Sequence, residues 1–258
     1  MIRHDLHIHT TASDGVHSAA DVVMMAAAAG LSGLAVTDHD TLEGLAVVRE
    51  EAGRAGLVFT PGVEISSAVD GVEVHILAYG FDMDSAHLAR LFQEQIARRR
   101  ERAEAFLNVF QERGLLPASA SLPDAPSIGR PHLARLLVAR GTVPTMSEAF
   151  DRFLTPGTPT FIPKPLPRGE DVVELVRHAG GVTSLAHPGH GVPHRVVLAL
   201  IEAGLWGVET DHPAHDDMLR DYYNRLADQH GLGATGGSDF HGPASSPVGS
   251  HGVSELPF

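Results

Sequence analysis

Short apolar runs alternate with longer amphipathic stretches along most of this 258-residue chain, and nearly every run stops at a polar cluster. Near the N-terminus, Leu6 and Ile8 interleave with His7 and His9 before Thr10 and Asp14. Histidines at i and i+2 share one face of an extended strand, whereas on a helix they would diverge by about 200°. Ser18-Ala-Ala-Asp21 has the spacing of a capping box ahead of an apolar helix running through about Ala29 and stopped by Gly30. Gly33–Thr37 reads as a short buried strand ending in Asp38-His39-Asp40, and Thr41 is placed to cap a second helix through about Arg54. Leu57–Thr60 predicts a third strand that ends in Pro61-Gly-Val-Glu64. Val72–Ala78 alternates around His75, and Asp70-Gly71 suits a hairpin back to Ile65–Val69.

The rhythm then breaks. Residues 84–113 predict one long charged helix, followed by a Pro/Ser-rich linker and shorter helices over 128–140 and 145–153. It resumes with a helix from Gly169 to Ala179 and a strand over 182–186 that ends at His187-Pro-Gly. Next come a helix near 195–203, a strand from Trp206 to Thr210 followed by Asp211-His212, and a helix near 214–230. The last strand, Leu232–Gly236, ends in Gly237-Ser-Asp239-Phe-His241. Strands alternating with helices, with polar clusters at strand ends, predict a parallel α/β barrel whose site lies at the carboxyl face. An open doubly wound sheet gives the same rhythm. The barrel is preferred because the first and last strands both supply ligand-type residues, which must meet. The expected layout is a barrel of residues 1–81 and 162–258, interrupted by a helical insertion at 82–161.

Composition narrows this picture. Hydrophobic content of 43% and mean hydropathy near zero suit a soluble protein with a sizeable core. No apolar run reaches membrane-spanning length and no signal-peptide pattern opens the chain, so cytoplasmic residence without a membrane partner is expected. The absence of cysteine excludes disulfides and thiolate metal sites. A net charge of −13 argues against a basic face for extended duplex nucleic acid.

Nine residues then stand out at or just past strand ends: His7, His9, Asp14, His39, Glu64, His75, His187, Asp239 and His241. A single such residue is usually a turn or a satisfied polar group, but the recurrence points to a shared site. Six imidazoles with three carboxylates exceed the needs of one cation and suit two or three divalent Mn, Zn or Fe ions with a bridging carboxylate.

The segments DLHIHTTASDG, TDHD, GVEIS, LAHPG and GGSDFHG, in this order, resemble the successive motifs of the PHP (polymerase and histidinol phosphatase) family. The resemblance covers residues 1–80 and 162–245 and implies a distorted seven-stranded β/α barrel that binds metals and hydrolyses phosphate esters. It implies that His7, His9, Glu64 and Asp239 hold one metal and that Glu64 bridges to a second, held with His75 and His187. Asp14, His39 and His241 would hold the third. Many relatives have histidine at the position of Asp14; aspartate resembles the subgroup of small nucleotide phosphoesterases, which share the helical insertion. The implied substrate is therefore a nucleotide, such as a nucleoside 3′,5′-bisphosphate, or a short oligonucleotide trimmed from its 5′ end. Histidinol-phosphate phosphatase and a non-catalytic metal-stabilised module are the alternative readings.

Arg130, His132 and Lys164 are candidates for substrate phosphate, Arg by a planar fork and Lys as a point charge. Arg130 placed at a helix end or paired with a surface acid is the competing reading. Glu64 and Asp239 are expected to be catalytic as well as ligating. His212 and His215 are candidates for protonating a leaving group, since imidazole titrates near neutral pH; each is equally well read as a solvated loop residue.

Overall fold

A computed structural model describes residues 3–258; Met1 and Ile2, at the head of the first expected strand, lie outside the described residues. The chain divides into two compact units. The first runs to Phe92 and resumes over Leu166–Phe258, and the second is Gln93–Pro165.

In the first unit, β1 (His4–Asp5), β2 (Gly33–Leu34) and β3 (Val58–Phe59) form a parallel three-stranded sheet. A second sheet has the order β4 (Gly62–Val69), β5 (Val72–Tyr79), β6 (Val182–Leu185), β7 (Gly207–Asp211), β8 (Gly233–Gly236). The expected parallel barrel is interrupted at β5, which is antiparallel to β4, as the expected Asp70-Gly71 hairpin requires, and also to β6. The cause is the two-residue turn: Asp70 (φ 49°) and Gly71 (φ 77°) are both left-handed, as a tight hairpin requires. The chain reverses there and pairs Val69 with Val72.

Regular pairing of β2 ends at Leu34, three residues before the expected Thr37. Beyond it the backbone continues through single bonds, Ala35 N–H to Asp5 O at 2.9 Å and Thr37 N–H to Ile8 O at 2.8 Å. Isolated bridges also join the two sheets, Ile8 with Phe240 and His39 with Glu64. Leu6 N–H donates to Gly236 O at 3.2 Å and Glu64 N–H to Thr37 O at 3.1 Å.

The helices of this unit cover the sheets with apolar faces at three- and four-residue spacing. Val22, Val23 and Ala26 of α1 (Ala19–Ala28), and Leu45, Val48 and Ala52 of α2 (Leu45–Ala55), are buried in one core with Ile65, Ile76, Leu185 and Val208. Each buried Val, Leu or Ile among them contributes about 1.5–3 kcal/mol by leaving water. The Ser18–Asp21 capping box is present, Ser18 accepting from Asp21 N–H and Asp21 from Ser18 N–H. Thr41 does not cap α2. Its hydroxyl accepts from Glu43 N–H at 3.1 Å, and the helix begins only at Leu45, after left-handed Gly44.

The long helix α3 (Ala86–Glu112) runs on into the second unit. There α4 (Arg130–Ala139) and α5 (Met146–Ala149), which continues as a π-turn over Phe150–Leu154, close on a core of Phe106, Phe110, Leu133, Leu137 and Leu154. In the first unit α6 (Gly169–His178), α7 (His194–Glu202) and α8 (Asp217–His230) complete the helices, with Asp216 capping α8. No helix among the described residues is long and apolar enough to cross a membrane.

Candidate metal centre

Glu64, fully buried on β4, has imidazoles around both of its oxygens. Oε1 lies 2.7 Å from His75 Nδ1 and 3.0 Å from His187 Nε2. Oε2 lies 3.0 Å from His39 Nδ1, 3.2 Å from His9 Nε2 and 3.4 Å from His7 Nε2. Asp239 is the second focus, its Oδ1 at 3.4 Å from His7 Nε2 and 3.3 Å from His9 Nε2. The third is Asp14, 3.2 Å from His241 Nε2 and 3.7 Å from His39 Nε2. All nine strand-end residues thus meet in overlapping groups: His7, Glu64 and His187; His7, His9 and Asp239; His39, Glu64 and His75; His9, Asp14, His39 and His241.

Local backbone explains the convergence. Ile8 bridges to Phe240, so the first strand brings its histidines beside Asp239, whose N–H donates to His7 O at 2.9 Å. Gly237 permits this approach, because a Cβ there would stand 2.3 Å from the Cβ of His7. His187 (φ 26°) and Asp239 (φ 50°) hold left-handed backbones that cost non-glycine residues about 1–3 kcal/mol each. Their side chains are about a quarter exposed, whereas those of His7 and Glu64 are closed to solvent. The cage therefore has a buried floor and a partly open rim.

Hydrogen bonds to the outer nitrogens assign the ring tautomers. His7 Nδ1–H donates to Glu209 at 3.1 Å, and His241 Nδ1–H to the carbonyl of Asp239 at 2.9 Å. Both rings therefore turn an Nε2 lone pair inward. His212 is the reverse case. Its Nδ1 accepts from Ala214 N–H at 2.9 Å, so in the neutral ring Nε2 carries the hydrogen, 3.4 Å from Asp239 Oδ2. His215 uses both nitrogens on the backbone, Nδ1–H to Thr210 O and Nε2 from Gly189 N–H, each at 3.1 Å.

The electrostatics are those of a charged, buried cage. Burial alone would raise the carboxyl of Glu64, yet His39, His75 and His7 hold it well below the usual range. Burial would lower His9, but Asp239 and Glu64 raise it to about 10. His7 is likewise raised against its burial by Glu209, Asp239 and Glu64. Three buried atoms that face one another, His7 Nε2, His9 Nε2 and Glu64 Oε2, have no hydrogen-bond partner. Leaving such atoms unsatisfied costs about 1–3 kcal/mol each. A cation among two imidazole nitrogens and a carboxylate would satisfy all three, so the donor set fits a divalent metal.

Arg130, His132 and Lys164 belong to the second unit. His132 is buried, its Nδ1 accepting from Gly129 N–H at 3.0 Å to close the start of α4. The guanidinium of Arg130 lies 6.0 Å from the ring of Phe150, and Lys164 lines a cavity of about 350 Å³ with Arg98 and Arg102.

Sequence reasoning missed a set of buried carboxylates behind the cage. Glu209 holds His7, and Asp5 accepts from the N–H groups of His7, Ser238 and Gly249. Burial pushes Asp5 up to about 6. Asp38 accepts from Thr10 and Ser13. Asp38 was visible beside His39, but Glu209 within an ordinary strand segment carries no local signal.

The model of the PHP domain family matches residues 5–154. The chain is 33% identical to the 5'-3' exoribonuclease Rnm of Escherichia coli, over 98% of this chain and 93% of that one. It is 37% identical to the 3',5'-nucleoside bisphosphate phosphatase of Chromobacterium violaceum, over 94% and 88% of the two chains. Its structure superposes with a TM-score of 0.89 on a Bifidobacterium adolescentis protein described as a candidate metal-dependent phosphoesterase. That pair is 30% identical and covers 97% of this chain and 92% of the other. By motif order, matched span and structural likeness, the chain belongs to the PHP domain family.

Proposed function

We propose that this protein is a metal-dependent phosphoesterase acting on a nucleotide, either a nucleoside 3′,5′-bisphosphate or the 5′ end of a short oligonucleotide. One observation carries the reading: Glu64 lies with both oxygens inside a ring of five imidazoles, the arrangement of a carboxylate shared between cations. The names of the relatives from E. coli and C. violaceum support the substrate class. We take the fold as a distorted seven-stranded barrel in which β3 and β4 act as one broken strand. The bridges Ile8–Phe240 and His39–Glu64 support closure, as does the buried cluster of Leu6, Ala35, Leu77, Tyr79 and Ala186, drawn from around the ring.

In this reading His7, His9, Glu64 and Asp239 hold one cation, Glu64 with His75 and His187 a second, and Asp14 with His39 and His241 a third. The ion is Mn, Zn or Fe. Cations there would supply Lewis acidity and positive charge opposite a phosphoryl group. The chain's own residues do the rest. Glu64 and Asp239 fix the cage, the buried floor excludes water, and the open rim admits the phosphate. His212 holds a hydrogen on Nε2 beside Asp239, where it serves as the proton donor to the leaving oxygen. His215, with both nitrogens on the backbone, is a brace and not an acid. Arg130, His132 and Lys164 are proposed to hold substrate phosphate; their residue types and the motif around Arg130 support this.

The test is a phosphate-release screen with added Mn or Zn. Nucleoside 3′,5′-bisphosphates, mononucleotides, short RNA and histidinol phosphate are compared. The bisphosphate or the RNA should be hydrolysed with the highest kcat/KM. Preference for histidinol phosphate, or turnover of none of them, would overturn the assignment.

A further inference from the structure

We propose that Glu209 is a positioning residue that prepares the cation sites built on His7 and His187; the proposal rests on the metal-dependent reading above. Glu209 is fully buried on β7, and its two oxygens serve two different strands. Oε1 and Oε2 lie 3.1 and 3.3 Å from His7 Nδ1, and Oε2 accepts the backbone N–H of His187 at 2.8 Å. The first contact selects the tautomer with a lone pair on Nε2, the only neutral form in which His7 can ligate through that inward atom. The second pins the backbone of His187, whose left-handed φ of 26° needs an external tie. The strand itself is shaped for this purpose. The pairing of β7 with β8 shifts register between Glu209 and Asp211, and such bulges re-aim side chains beside active sites.

The contacts are selective. His7 belongs to three groups of possible ligands, with Glu64 and His187, with His9 and Asp239, and with Glu209 itself and His212, whereas among the described residues Glu209 shares no such group with Asp14, His39 or His241. Losing Glu209 should weaken the sites built on His7 and spare the one built on Asp14, His39 and His241.

Glu209→Gln keeps the shape but removes one acceptor in either amide orientation. If the Gln oxygen faces His7, its NH2 group opposes the His187 N–H. If it is turned, the NH2 replaces the nearer acceptor of Nδ1–H, leaving only the oxygen that also takes the His187 N–H, 3.3 Å from Nδ1, and the preference for hydrogen on Nδ1 weakens. The experiment is zinc titration of the intact protein against a competing chelator, with circular dichroism of the metal-free form. Loss of a second-layer hydrogen bond to a ligand weakens metal binding about 10- to 100-fold. The expected result is that loss at one or two of the zinc equivalents, with one equivalent bound as in the wild type. Unchanged affinity for every equivalent overturns the proposal, and so does equal weakening of all of them. If the Gln variant does not fold, Glu209→Asp is read the same way. It keeps the charge but shortens the reach, so it should show the same selective loss, and wild-type affinities in it overturn the proposal. A wild-type protein that binds no zinc removes the metal reading and this one together. Zinc binding without phosphatase activity removes only the substrate assignment.

Discussion

A neutral imidazole has one hydrogen, so whatever holds one ring nitrogen decides what the other can do. Glu209 behind His7 makes a ligand, and Ala214 N–H behind His212 makes a donor. Two variants test this division. His212→Gln should lower kcat about 10²- to 10⁴-fold on a nucleotide, the usual worth of a general acid. It should leave metal content intact and do less harm on a nitrophenyl phosphate, whose leaving group needs no proton. An equal loss on both substrates would remove His212 from the proton path. Glu64→Gln keeps the shape but removes the central charge, so turnover should fall at least ~10²-fold, on the scale of lost electrostatic stabilisation. A variant with normal metal content and near-normal rate would show that Glu64 is not the bridge. The nine cage residues were legible in the sequence because they recur in phase at strand ends. Glu209 was not, since its role depends on His7 more than two hundred positions away.

Among the elements, the β4–β5 hairpin was legible because its turn chemistry is local: Asp70-Gly71 both take positive φ. The parallel strands were placed correctly in order, but β2 was expected to run to Thr37 and pairs only to Leu34, because its pairing is set by distant partners. The loop into α8 was ambiguous for the same reason, and its outcome has a pH signature. His215 accepts Gly189 N–H, stacks on Tyr223, and is lowered below its ordinary 6.5 mainly by burial, with His212 and His187 adding to it. The folded state thus binds fewer protons than the unfolded one below pH 6.5. The contribution of His215 should be complete above that pH and be lost as pH falls through the folded value. His215→Gln has no such titration. The gap in Tm between wild type and variant should therefore narrow from pH 7 to pH 5; a gap independent of pH would contradict the brace.

At the scale of the whole molecule, the break in strand–helix rhythm signalled the second unit, but sequence pattern could not say what its cations do. If Arg130 and Lys164 hold phosphate, Arg130→Ala and Lys164→Ala should leave zinc or manganese content unchanged. Charge-assisted hydrogen bonds contribute about 1.5–3 kcal/mol each, so kcat/KM for a nucleoside bisphosphate should fall about 10- to 200-fold. A simple aryl phosphate should suffer less, and small equal effects on both substrates would remove these side chains from recognition. The central claim concerns the cage in the first unit. His7 and His9 are drawn toward the protonated form against their burial by the carboxylates around them, and protons must leave as cations enter. The most direct measurement is elemental analysis of the protein after reconstitution with manganese or zinc and removal of free metal at neutral pH. Two to three equivalents per chain are predicted; one equivalent or none would contradict the multinuclear site.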